Sequence, residues 1–171
     1  HRLFRRQRQM CIRDSTQLAI GISLIFGVFF QSLLNFFSFE IYGSSIPITL
    51  MILIYWNIAL PKNIGLSWSF ISGILLDLNL GYFLGTHVIL FLFISYLTQR
   101  YFHRIRAMFQ IQQSLLIASI VFLYLLSLYV FFQEFSFFVI LAIILNSLIS
   151  AFVWPILFGS LRIIRRKYTY A

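Results

Sequence analysis

A chain of 171 residues that is 61% hydrophobic and 10% charged, with a mean hydropathy of +0.93, is not a water-soluble globule but an integral membrane protein. Its 13 Lys and Arg against 4 Asp and Glu give a net charge of +9, yet the basic residues cluster beside apolar segments, which fits membrane topology and lipid headgroups and excludes a nucleic-acid role. The single cysteine, Cys11, excludes an internal disulfide and a cysteine metal site.

Residues 1–14 begin with His1 and read as a basic leader, unlike anything downstream and of the kind that an assembly scar leaves. Residues 15–167 are expected to form one membrane domain, and residues 168–171 a cytoplasmic tail. Six apolar stretches follow the leader, near residues 17–37, 44–60, 64–80, 83–100, 113–132 and 137–159. Each has about 17 residues or more, enough to cross ~30 Å of hydrocarbon as a helix. Barrel strands would alternate polar and apolar side chains, whereas runs such as Leu115 to Phe132 are continuously apolar. The fold class is therefore all-α: a polytopic membrane helical bundle. Connections near 38–43 and 101–112 are too short for a soluble core, so any chemistry lies inside the bundle or at its rims.

Charge sets the expected orientation. All 13 basic residues fall at the amino end or after the second, fourth and sixth stretches, while Glu40 and Glu134 fall on the other side. By the positive-inside rule both termini are cytoplasmic.

The first stretch carries Ala19, Ser23 and Gly27 at four-residue spacing, a row of small residues that lets another helix approach closely. Gln31 and Asn35 continue that face toward the extracytoplasmic end. In the second stretch Tyr55, Trp56 and Asn57 suit the inner interface, where rings with a polar tip accumulate. The third holds Gly65, Ser69, Gly73, Asp77 and Gly81 at intervals of four, expected either to pack against another span or to dock a partner's helix. Gly85 follows at the entrance to the fourth stretch.

Asp77 is the only acid inside any apolar stretch, and an intramembrane carboxylate is costly enough to mark a functional site by default. At ~1.5 Å per residue it lies about 20 Å above Ile64, in the outer third of the membrane. The turn at Leu80-Gly81-Tyr82 brings His87 to nearly the same depth. Asp77, His87, Asn79, Gln31 and Asn35 are thus expected to form an outer polar cluster. Three roles are open to it: fixing the hairpin, binding a partner, or holding a small solute or relaying protons. A relay would need ionisable groups in the inner half, which the sequence lacks. Under the structural role, Asp77→Asn is expected to fold almost normally.

In the sixth stretch Asn146, Ser150 and Trp154 recur at four-residue spacing before Pro155, which removes a backbone bond and is expected to kink the helix. There is no zinc-protease His-Glu-x-x-His helix and no Gly-x-Ser-x-Gly elbow. Ser69 and Ser72 have no base at their depth. The chain is therefore expected not to be an enzyme and to need no cofactor or metal.

Several runs together resemble a known family: Leu53-Ile-Tyr55-Trp56-Asn-Ile-Ala-Leu60-Pro61-Lys62, then Gly65, then Gly73-Ile-Leu-Leu-Asp77-Leu-Asn-Leu-Gly81 and Leu84-Gly85. With the Gln112-Gln113 pair and Trp154-Pro155, they are similar in order and spacing to the rod shape-determining protein MreD family, over about residues 17–167. The resemblance implies a non-enzymatic scaffold in the bacterial inner membrane, paired with MreC. Through MreC it implies MreB and the peptidoglycan glycosyltransferase and transpeptidase as further partners. The alternative is a substrate-binding subunit of an energy-coupling-factor vitamin transporter, whose small-residue coupling face Ala19, Ser23 and Gly27 resemble. Against it stand the few polar residues available for a pocket and the short outer loops.

Overall fold

The computed structural model describes residues 2–36, 46–61, 64–132 and 137–169, with side chains for 16–36, 46–61, 64–130 and 137–167. Among these residues the chain is all-helical. The helices are α1 (Arg2–Phe36), α2 (Ile48–Ala59), α3 (Leu66–Leu80), α4 (Thr86–Arg100), α5 (Phe102–Ala107), α6 (Gln110–Phe132) and α7 (Phe137–Thr169). The basic side chains of the leader, Lys62, Glu40 and Glu134 lie outside the described residues.

Three helices are long and apolar enough to cross a membrane, through Thr16–Phe36, Gln110–Val130 and Phe137–Lys167. The other three expected spans are shorter than hydropathy suggests. With 12, 15 and 15 residues, α2, α3 and α4 reach only about 18 to 22 Å. The reason is local backbone chemistry that a hydropathy window does not read. Pro47 caps the start of α2, while Gly81 and Gly85 take φ of +71° and +109° and stop the chain between α3 and α4. The connection expected at 101–112 contains the short helix α5. At the other end, α7 runs through Pro155 and ten residues past the expected limit of 159.

A short α2 is tolerable because lipid does not surround it. Every residue from Thr49 to Ala59 is buried, and α1, α4, α5 and α7 pack around the helix. A helix that is hydrophobic all round belongs in a core. The free backbone groups at its ends are met by protein side chains. Gln31 Oε1 accepts a hydrogen bond from the Thr49 N–H at 3.2 Å at one end. Arg106 of α5 donates to the carbonyls of Ile58 and Ala59 at 2.8 and 2.7 Å at the other. A guanidinium at a helix C-terminus also meets the negative end of the dipole.

Close approaches set the helix order. Ser23 accepts the Trp56 indole N–H at 2.8 Å and Gly27 lies against Ile52, which fixes α1 antiparallel to α2. Trp68 of α3 covers Gly21 and donates to Gln17 Oε1 at 2.7 Å, so the start of α3 packs beside α1. The hairpin of α6 and α7 packs on α1 through α7 and only thinly on α4 through α6. Trp56, Trp154, Tyr55 and Phe91 fill the centre, while residues such as Leu18, Phe29, Phe83, Phe93, Ile111 and Phe152 face outward. So wide an apolar exterior would aggregate in water and is matched by lipid.

Candidate functional site

The outer end of the α3–α4 hairpin is built around the two carboxylate oxygens of Asp77. α3 ends in a left-handed Gly81, with the N–H groups of Gly81 and Tyr82 both directed at the Asp77 carbonyl, the latter at 3.2 Å. That turn places the Asp77 side chain under the first turn of α4. There the N-cap residue is Gly85, which has no side chain to cap its own helix. Asp77 supplies the cap from α3. Its Oδ2 accepts the Gly85 N–H at 2.8 Å, and its Oδ1 accepts the His87 N–H at 3.1 Å. The His87 Nδ1 lies 2.5 Å from the same Oδ1.

Asp77 is 0% and His87 1% exposed. The imidazole is walled by Tyr82, Phe91 and Tyr124, with ring centroids 5.0, 6.2 and 6.0 Å away. Tyr124 is the contribution of α6 to this site. A buried acid at the positive end of a helix, bonded to two backbone N–H groups and paired with an imidazole, has no free oxygen directed at a solute. The geometry holds a hairpin closed.

A second polar network lies at the opposite ends of α3 and α4. Ser95 Oγ accepts from Asn57 Nδ2 at 2.9 Å and from the Ser69 hydroxyl at 2.7 Å. Gln99 Nε2 donates to Asn57 Oδ1 at 2.8 Å and to the Ile64 carbonyl at 3.0 Å, which ties α2, α3 and α4 together. Asn57, Ser69 and Ser95 are all fully buried. Ser95→Ala would leave two buried donors without their acceptor, so it is expected to lower stability by about 2 kcal/mol. Thermal melting of the detergent-solubilised chain measures this, and an unchanged midpoint would remove Ser95 from the centre of the network.

Comparison with known proteins bears on both networks. The profile of the family described as rod shape-determining protein MreD matches residues 12–164. The Rod shape-determining protein MreD of Haemophilus influenzae is 33% identical over 120 residues, which cover 68% of this chain and 73% of that protein. The chain belongs to the MreD family. No solved structure matches it. The family match takes in both polar networks and all the short helices, so the hairpin lies within the MreD region and not in an appendage.

Within this MreD-family chain, the five residues expected to form one outer cluster do not make one bonded group. Asp77 and His87 meet directly. Asn79, two residues on and so about 200° round the helix, is exposed. Gln31 caps α2 instead, and among the described residues the buried Asn35 Oδ1 has no hydrogen-bond partner.

The four-residue stripe on α3 likewise divides. Ser69, Gly73 and Asp77 are buried in the contact with α4, so this face is already covered and does not await a partner helix. Gly65, Gly81 and Gly85 do not pack helices: Gly65 is the exposed N-cap of α3, and the other two form the turn. In the α1 row, Ser23 and Gly27 pack against α2 and Ala19 is buried. Trp154 is fully buried, with Pro155 inside the continuous α7.

Sequence reasoning missed Ser95, Gln99 and Arg106 as internal partners. Gln99 and Arg106 sit beside charged residues at the end of an apolar run, where they read as boundary markers.

Proposed function

We propose that this chain is a non-enzymatic component of the bacterial cell-elongation machinery in the inner membrane. It acts there as a scaffold or regulator of peptidoglycan synthesis through MreC. Through MreC it connects to MreB and to the glycosyltransferase and transpeptidase that build the wall. Membership of the MreD family is the observation that carries this reading. The internal chemistry agrees with it. Asp77, Gln31, Arg106, Asn57 and Gln99 all spend their hydrogen bonds on the protein's own helices, which suits a body that works through its surfaces.

In this proposal the chain crosses the membrane six times, with both termini in the cytoplasm. The basic residues of α5 and the carboxyl end of α7 then share the cytoplasmic side, as the positive-inside rule asks. The short α2 completes its crossing inside the bundle, where α1 and α7 shield it from lipid.

Expression in a rod-shaped bacterium lacking its own MreD tests the function. Rods are expected to return, with MreC retained by the chain in detergent extracts. Round cells despite normal membrane levels of the chain would refute the proposal. A vitamin carried through purification would favour the transporter-subunit reading instead.

A further inference from the structure

We propose that the groove between α4 and α6 holds an acyl chain of an anionic phospholipid, with the phosphate seated on Arg104. This depends on the chain lying in a membrane and not on its place in cell elongation. α6 packs on α4 only thinly, through Tyr124 against Phe91 and His87, and beside that contact the two helices leave a groove of about 540 Å³.

The wall of the groove is apolar. Its serine and threonine hydroxyls are turned back onto their own helices: Thr98 onto the Ile94 carbonyl at 2.7 Å, Ser119 onto Leu115 at 3.0 Å and Ser127 onto Tyr124 at 2.7 Å. The other hydroxyls on the lining are the phenols of Tyr101, at the Arg104 end, and of Tyr124. Among the described residues that line it, Arg104 alone is charged. Its guanidinium carbon lies 5.9 Å from the Tyr101 ring centroid, and among the described residues it has no carboxylate partner. The groove is therefore apolar along its walls and cationic at one end, the complement of an anionic amphiphile.

Length selects the lipid over a partner's helix. The lining runs from Leu90 on α4 to Tyr101, the residue that follows the helix, and from Leu116 to Ser127 on α6. At ~1.5 Å per residue each stretch is about 16 Å long, half of a ~30 Å hydrocarbon core. One leaflet's acyl chain has that reach, whereas a spanning helix would need a seat across the full thickness. Arg104 stands at the end where such a chain meets its headgroup, and an arginine fork pairs well with phosphate.

The test uses the full-length chain, purified in detergent with dioleoyl phosphatidylglycerol or dioleoyl phosphatidylcholine and read by native mass spectrometry. The phosphatidylglycerol adduct is expected to survive delipidation that strips phosphatidylcholine. Arg104→Gln should reduce its retention about five-fold, the effect of one basic contact near the membrane surface. Arg104→Lys should keep most of it. Ser119→Trp, built at an exposed position and filling the groove, should abolish it, while Arg166→Gln on α7 should leave it unchanged.

Equal retention of the two lipids would overturn the proposal. So would equal losses in Arg104→Gln and Arg166→Gln, which would mean general headgroup attraction. A photoreactive residue at position 119 that crosslinks a protein rather than lipid in native membranes would also refute it.

Discussion

Asp77→Leu is expected to destabilise the chain by about 3–5 kcal/mol, because it removes a buried carboxyl group shared by the Gly85 and His87 amides and the His87 ring. The Gly85 and His87 amides would then face an apolar side chain at the head of α4. Adding His87→Phe should recover only part of the loss, since it removes the unpaired imidazole but leaves both amides without an acceptor. Asp77→Asn is expected to cost about 1–3 kcal/mol rather than fold almost normally. Both carboxylate oxygens are acceptors here, and an asparagine amide offers one oxygen and turns an NH₂ group toward a donor. Thermal melting in detergent and the fraction of chain inserted in the membrane report these differences. A leucine variant that melts with the parent would show that Asp77 does not hold the hairpin.

Gly73→Leu should break the same hairpin from its middle. A Cβ at Gly73 would lie 2.6 Å from the Val88 Cα and 2.9 Å from its N, and both are backbone atoms that have no rotamer to adopt. α3 and α4 would have to separate, which would stretch the Ser69–Ser95 bond below and the Asp77 cap above. Alanine at this position is expected to cost about 1–3 kcal/mol, and leucine more than about 3 kcal/mol. Gly159→Ala in α7 is the control: nothing lies within 4 Å of its added Cβ, so stability should hold or rise slightly. Equal melting of the Gly73 and Gly159 variants would mean that the α3–α4 contact yields more easily than its geometry implies.

The two substitutions probe one physical theme. In lipid, helix ends and helix contacts are satisfied by protein, so polar side chains are used as caps for neighbouring helices. Gln31 serves α2, Asp77 serves α4 and Arg106 serves the far end of α2. Each acts on a helix other than its own. A substitution at any of them is felt on the helix that it caps.

That theme explains what the sequence made legible. Hydropathy alone gave the membrane class, the all-helical fold and the approximate place of every long helix. Residue order carried the resemblance to the MreD family, which the comparisons established. The contact of Asp77 with His87 was readable as well, because a short Gly81 turn leaves two neighbouring side chains at one depth and admits few other arrangements.

The rest depended on relations between distant parts of the chain. Hydropathy cannot tell lipid from protein as an apolar surrounding, so it does not show that α2 is a short helix enclosed on all sides. Four-residue spacing marks a face without naming what covers it, and only the fold showed α4 seated on Ser69 and Gly73. Gln31 and Asn35 share a helix face in sequence, yet the start of α2 takes Gln31 for its cap. The groove beside Arg104 exists because α6 packs on α4 only thinly. No local pattern records that spacing, since it is set by the packing of helices that lie far apart along the chain.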